Sequence, residues 1–356
     1  MNIFAGWSYL SVLSVFTLSL SACAGGTVNR VSTDTEALPD GLQDRFEIRD
    51  RAVTPSPTPT PIDSPSPVPT AIPPKKTKGK KGKAGKAKPM PVPVASASAA
   101  PTPTPALTEV VMPSRRPAKE PFTTGEHLVL EITYFGMAAG DFLLDVLPNK
   151  VIDNHPVYHI KGTAVSASVF NLFYRLNDTV ETFIDYNGIF SRRFQLLLDE
   201  TKQTRNSIEL NDSEKGQTYY WNRWKHVEKD YVETKNFFPM DRLSQDSLSA
   251  LYYLRTVPLP DGAQFSFPVI NEGKNWECVC TVVRREILKT PLGRVRTVVI
   301  KPETRYQGIL QKKGDSYLWL TDDEHRYPVR LEAKVKIGTV VATLKRVEPG
   351  TPSPKK

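Results

Sequence analysis

The reactive side chains of this 356-residue chain are few, and its three cysteines head them. Cys23 closes a short apolar stretch and follows the small residues Ser21 and Ala22. A thiolate at that place is nucleophilic enough to accept a diacylglyceryl group, and small neighbours let the chain enter a peptidase cleft. Cys278 and Cys280 stand two apart in a strand-like run, so their side chains share a face. A bond between them would strain the strand. They read as two small buried apolar residues, or as an exposed thiol pair for redox or metal work, with no nearby His to complete a zinc site. Asp322-Asp323-Glu324-His325 sets acids beside an imidazole. Such a run can hold a cation or pair an acid with a base, and it serves equally as a charged hairpin tip between Trp319 and Tyr327. His127, His155, His159 and His226 show no ligand spacing. Ser247 and Ser249 lie in no nucleophile elbow. No phosphate loop and no dinucleotide fingerprint occurs. The reading therefore assigns no catalytic residue, no metal and no cofactor.

Binding chemistry is better represented. Tyr219-Tyr220-Trp221 and Trp224, flanked by Arg223 and Lys225, can stack a sugar or a base. The same residues can instead pair across a hairpin around Asn222-Arg223. Phe170, Leu172, Phe173 and Tyr174 form an apolar patch that either plugs one end of a barrel or lines a lipid-accepting mouth. Tyr220, Trp221, Trp224, Phe170 and Phe173 are thus the candidate ligand-binding residues. Lys75, Lys76, Lys78, Lys80, Lys81, Lys83, Lys86 and Lys88 form a run without an acid. It can contact an anionic surface such as lipopolysaccharide phosphate or peptidoglycan carboxylate, at about 1 kcal/mol per Lys. It can also be a spacer extended by self-repulsion.

The surrounding composition places that run in a tether. Eighteen of the 31 prolines fall between Pro55 and Pro121. Proline fixes φ and lacks an amide donor, so such a run favours extended backbone over a fold. Too little apolar surface is present to offset the ordering entropy. Residues 23–121 therefore read as a disordered Pro/Thr/Ser/Lys-rich tether, in which Leu38 to Val53 can form a transient helix. About 98 residues of it would reach ~300 Å fully extended. The chain carries +9, yet residues 122–348 hold 30 basic and 29 acidic side chains. The basic excess belongs to the tether, which counts against a nucleic-acid partner.

Residues 1–22 suit a signal-peptide core, being too short and Ser-interrupted for a span of ~20 apolar residues. Leu20-Ser21-Ala22-Cys23 resembles a bacterial lipobox. That resemblance implies lipidation at Cys23 and cleavage before it. Several acyl chains would anchor the chain stably to a membrane. Ala24 rather than Asp follows the cysteine, which by the same resemblance favours the outer membrane, facing the periplasm.

Residues 122–348 read as one β-rich domain, followed by a disordered tail over 349–356. Period-2 runs of β-branched and aromatic residues predict thirteen or fourteen strands without βαβ alternation, hence an antiparallel arrangement. So many strands suggest one strongly curved sheet or incomplete barrel, since closure removes exposed edges. Gly136 to Gly140 reads as a hairpin loop and Asp153-Asn154-His155 as a turn. One short helix stands out, Ser247 to Arg255, with Asp246 as its cap. Val169 to Tyr174 is a further helical turn. Gly125-Glu126-His127-Leu128, leading through Ile132-Thr133-Tyr134-Phe135-Gly136, resembles the opening of domain-of-unknown-function family 3108. Gln245 to Arg255, Val283 to Gly293, and Trp319 to Glu332 are similar to its later segments in the same order. The resemblance implies an exported, mostly β domain and supplies no catalytic residues.

These readings point to a lipid-anchored envelope protein whose β domain holds an apolar or glycan ligand or docks an envelope protein, without catalysis. Two other functions remain open on the same residues. One is a scaffold whose Lys/Pro segment grips the cell wall. The other is a hydrolase of envelope polymers, which would need Asp246, His325 and Asp322 to converge in one cleft.

Overall fold

The computed structural model describes residues 38–39, 41–51, 112–172, 174–307, 309–310, 315–334 and 338–351. Contacts divide the chain into one unit of Met1–Arg51 with Val111–Lys356 and another of Ala52–Val110, and every described residue belongs to the first. Cys23 and the run Lys75 to Lys88 lie outside the described residues. Among the described residues no helix is long and apolar enough to cross a membrane.

In chain order the elements are α1 (Leu42–Arg45), β1 (Arg49–Asp50), β2 (His127–Tyr134), β3 (Met137–Ile152), β4 (His155–Ser166), α2 (Ser168–Asn171), β5 (Asn177–Asp185), β6 (Ser191–Asp199), β7 (Gln203–Asp212), β8 (Gln217–His226), β9 (Lys229–Pro239), α3 (Ser249–Thr256), β10 (Gln264–Asn271), β11 (Lys274–Thr290), β12 (Gly293–Tyr306), β13 (Ile309–Leu310), β14 (Ser316–Thr321), β15 (Pro328–Lys334) and β16 (Thr339–Glu348). The strands form one antiparallel sheet in the order β10-β11-β12-β14-β15-β16-β2-β3-β4-β5-β6-β7-β8-β9, with β1 and β13 pairing off that path. Almost every neighbour on the path is a sequence neighbour, as short connections require of antiparallel strands.

The sheet is not closed, because its edge strands β10 and β9 do not pair with each other. Side chains bridge the seam instead. Asn275 Nδ2 donates to the Pro239 carbonyl at 3.0 Å, and Arg205 pairs with Glu272 at 2.6 Å. The free edge of β10 is partly covered by Gln245, which pairs with it across a parallel bridge. Pro268 sits on that strand, where a missing amide donor costs least.

One hydrophobic core draws side chains from β10, β11, β12, β14 and β16 as well as from β2 to β6. A flat sheet could not bring strands so far apart in the path to one core. Helix α3 supplies the filling, burying Leu251, Tyr252 and Leu254 together with the preceding Leu248. Its start is capped as expected. Asp246 Oδ1 accepts the amides of Leu248 and Ser249 at 2.8 and 2.7 Å, and Ser249 Oγ accepts the Asp246 amide at 2.8 Å. Its last turn is held by Arg255, fully buried, which donates to both carboxylate oxygens of Glu126 at 2.6 and 2.8 Å. The same guanidinium reaches the carbonyls of Pro121 and His325. The helix thus lies across the end of the sheet that carries Glu126 and the β14–β15 turn.

Two turns differ from expectation. Gly136 to Gly140 is not a five-residue loop, since the chain reverses over Phe135 and Gly136 alone, both at positive φ (50° and 75°). Such a two-residue turn matches the twist of its strands. Gly140 lies inside β3, where the Val165 carbonyl leaves no room for a Cβ. Nor is there a hairpin around Asn222-Arg223. Strand β8 runs straight through them, and the reversal falls on Val227 and Glu228.

The largest difference is at Leu38 to Arg51, which the sequence places in the tether. Leu38, Leu42 and Phe46 recur every four residues, giving a one-turn helix a single apolar face. That face packs on Ile152, Val157, Phe183, Ile208, Leu210, Tyr219 and Trp221, on the side of the sheet away from α3. Arg45 pairs with Asp153 and Asp212, each at 2.8 Å, and Arg193 donates to the Phe46 carbonyl at 2.8 Å. Arg49 and Asp50 then add to the edge of β3 opposite Val151 and Lys150. The chain leaves this strap with the Arg51 guanidinium 5.6 Å from the Tyr186 ring and returns with Arg116 at 4.0 Å from the same ring. Arg115 pins the return through the carbonyls of Gly188 and Ile189. The link from Cys23 to the fold is therefore the fourteen residues 24–37, not the whole Pro/Lys-rich stretch.

Candidate functional site

Opposite the end covered by α3, the connecting turns form a continuous rim. The Ala167 amide donates to Ala139 at 2.8 Å, the Thr201 amide to Arg175 at 2.9 Å, and the Val227 amide to Lys202 at 2.9 Å. These bonds tie the β4–β5 connection to the start of β3 and join the β4–β5, β6–β7 and β8–β9 connections in series. At its other side the rim reaches Gly338, at a φ of +87°, which packs against the end of the Phe135 ring.

This rim carries large apolar side chains at and beside the connections, where polar residues are the norm. Phe135 is 59% exposed, Met137 57%, Val169 67%, Leu172 82% and Val227 36%. Val169 and Leu172 sit on the β4–β5 loop, whose base is closed by Ser166 and Leu176. Their backbones pair at 3.0 Å, and Ser166 Oγ accepts the Leu176 amide at 2.9 Å. Helix α2 turns Phe170 inward onto the main core and leaves its neighbours outward. Other exposed apolar residues lie on β11 and its turn (Val283, Ile287, Leu292), on the edge strand β9 (Tyr231, Val232, Phe237), on β13 (Ile309) and before β1 (Ile48).

Beneath the loop two carboxyl groups are buried together, Asp178 at 2% and Glu200 at 6% exposure. Glu200 accepts from the Tyr174 hydroxyl and from Gln203 Nε2, and Asp178 accepts the Asp199 amide at 3.0 Å. Burial, with Glu200 adjacent, pushes Asp178 up to about 9, and burial raises Glu200 as well. Two carboxylates cannot both ionise so close in a dry site, so the pair holds a proton at neutral pH. Arg175 closes the outside through Asp199 at 2.8 Å.

A second buried polar group lines the opposite seam. Arg205 donates to Asn222, to the Tyr220 hydroxyl and to Glu272, at 2.6, 2.8 and 2.6 Å. Burial pushes the neighbouring Glu209 up to about 8, aided by Glu272. This group joins β7 and β8 to the β10–β11 turn.

The aromatic candidates do not assemble. Tyr220 is buried under Arg205. Trp221 points to the other face, beneath the strap, with its indole N–H on Glu233 at 2.8 Å. Trp224 is tied to Gln203 at 2.8 Å. Alternation along a strand separates Trp221 from the other two, so no shared stacking surface forms. Phe170 packs inward, and Phe173 lies outside the described residues. Cys278 and Cys280 are both buried in the core, Sγ to Sγ 3.7 Å, and burial together with the shared S–H contact raises Cys280. Asp323 accepts the amides of His325 and Arg326, which makes 322–325 a hairpin tip. Asp246 is buried at the start of α3, whereas Asp322 and His325 are exposed on the β14–β15 turn, which meets the helix at Arg255. The hydrolase trio is not brought together. Among the described residues, no group of three or more His, Cys, Asp or Glu is placed to hold a metal ion.

The family described as "Protein of unknown function (DUF3108)" matches residues 129–345, and the chain belongs to that family. Among solved structures, the chain is similar to a β-barrel-like protein of the unknown-function family DUF1849 from Brucella abortus. That pair shares 7% identity at a TM-score of 0.41, covering 64% of this chain and 98% of that one. A chain from Parabacteroides distasonis, provisionally described as a lipoprotein, shares 11% identity at a TM-score of 0.30, covering 67% of this chain and 100% of that one. A chain from Bacteroides fragilis, provisionally described as an exported protein with a YmcC-like fold, shares 10% at 0.29, covering 64% and 97%. No curated protein sequence matches the chain.

Proposed function

We propose that the chain is an exported, lipid-anchored binding module of the cell envelope that takes an apolar partner at its rim and performs no catalysis. The observation that supports this reading is the set of five large apolar side chains exposed at or beside turns on one end of the sheet. Leaving such residues in water has a cost that a partner removes, at ~1.5–3 kcal/mol for each side chain fully covered. The lipobox at Cys23 supports export and anchoring, with the outer membrane as the address. The aromatic cluster gives no support to a glycan ligand, since its members are buried or face apart.

The scaffold reading keeps one supporting observation. Arg51 and Arg116, the described residues that flank the Pro/Lys-rich stretch in the sequence, both lie over the Tyr186 ring. Pull-down on isolated cell walls, with and without Lys75 to Lys88, tests it.

The rim itself is tested with a fluorescent phospholipid probe. The double variant Met137→Asp, Leu172→Asp should weaken probe binding by at least ~100-fold, as two lost apolar contacts imply. Unchanged binding, with an unchanged melting profile, would sink the apolar rim.

A further inference from the structure

We propose that the partner at this rim is the bilayer carrying the chain's own anchor, into which Phe135, Met137, Val169 and Leu172 dip. This rests on the binding-module reading above and names its partner.

Three observations lead there. The first is the length of the link. The strap docks Leu38 on the sheet, leaving fourteen residues, 24–37, between it and Cys23. At ~3.5 Å each they span at most about 50 Å. The second is the distance from strap to rim. Val157 packs under the strap and Ser166 closes the base of the α2 loop, both on β4. Nine residues of strand at ~3.3 Å put the rim about 30 Å from the strap. The link therefore reaches the rim with slack, and holds the domain too near the membrane to move far from it. The third is the shape of the surface. The apolar side chains stand on separate turn tips, Phe135 and Met137 on one and Val169 and Leu172 on the next. Projecting tips suit a fluid surface that closes around them, whereas a rigid protein partner would need a matching set of pits.

Charge plays the smaller part. The bordering turns carry Arg175, Lys202, Lys225 and Lys229 against Asp199, Glu228 and Asp230, and Arg175 is paired with Asp199. With the signs so nearly balanced, insertion depends on the apolar tips and should resist added salt.

The test uses the full lipidated chain extracted from membranes and reconstituted in vesicles of phosphatidylethanolamine and phosphatidylglycerol. An environment-sensitive fluorophore is attached in Ser168→Cys, beside the tips, or in Glu324→Cys, at the far end. The native Cys278 and Cys280 are buried and do not compete. Spin-labelled lipids should quench the residue-168 fluorophore several-fold more than the residue-324 one, with little change at high salt. Adding Met137→Asp and Leu172→Asp should reduce quenching at 168 to the level at 324 while the chain stays anchored. Equal quenching at both sites overturns bilayer insertion. If both stay unquenched while the double variant still loses the monomeric phospholipid probe, the rim holds a single ligand, and the binding module outlives this proposal. If the double variant instead changes oligomer size, the rim meets a second copy, which also overturns it.

Discussion

Asp178 and Glu200 show how a fold alters the chemistry of ordinary residues. Neither stands out locally, being 22 positions apart in the chain and brought together by the pairing of β5 on β6 and the Leu176–Glu200 bridge beyond it. Burial raises both, Asp178 to about 9. The native state then retains a proton that an unfolded Asp, with its ordinary value of 3.8, has released. Native protein binds more protons over that interval, so stability falls as pH rises from about 4 to about 9. Asp178→Asn keeps the amide contact and cannot ionise. Urea unfolding across that range should show a clearly shallower decline for the variant, and parallel curves would show that the pair does not share a proton. Glu209→Gln should remove a further part of the slope, since burial pushes Glu209 up to about 8. Conversely, Cys278 and Cys280 were legible as sharing one face, because strand alternation decides that, while the fold decided that the face is buried.

Helix α3 is where local sequence and tertiary packing agree. Asp246, two positions before Leu248, carries the cap expected of it, and the apolar spacing that follows faces the core. Its carboxylate also accepts from Thr182, so the cap ties the helix to β5. Asp246→Ala removes the amide contacts and strands the Thr182 hydroxyl. The loss should be about 2–3 kcal/mol in urea unfolding, with Asp246→Asn recovering most of it. A smaller loss, within ~0.5 kcal/mol, would mean the helix is held by its Arg255 end alone. Turn signals were legible unevenly. Asp153-Asn154 adopts the positive φ values its residue types tolerate. Phe135-Gly136 does so with an aromatic at the first position, which residue type alone argues against.

At the scale of the molecule, the strap decides where the chain that follows Cys23 meets the sheet, and with it the reach of the proposed anchor. Phe46 is almost fully buried on the outer face, and its packing is separate from the main core. Phe46→Asp should free the strap while leaving the sheet folded. Hydrogen exchange at Arg49 and Asp50 should then accelerate by roughly 100-fold or more, as ~3 kcal/mol of lost burial implies. Core amides of β2 and β4 should be unaffected. Unchanged exchange at the strap would show that Arg45 and its two carboxylates hold it without Phe46. If the strap is freed, the connection from anchor to sheet lengthens toward the full Pro/Lys-rich stretch, and quenching at the rim should fall with it.

The mainly β class, the antiparallel pairing, the single capped helix and the family membership could all be read from the chain. They depend on periodicity, caps and neighbour pairing, which are properties of short segments. The apolar cast of the α2 loop was also visible, but not which of its residues faced water. Phe170 turns inward and Leu172 outward because of where α2 rests on the core. The aromatic cluster misled for the opposite reason. Tyr220, Trp221 and Trp224 are close in sequence, yet the strand sends them to opposite faces and the strap covers one. The strap itself carried a four-residue apolar spacing, but nothing local says that a surface waits for it 100 residues on. Local interactions decide what each segment can become, while long-range burial decides which segments touch, and the rim, the acid pair and the strap all belong to the second.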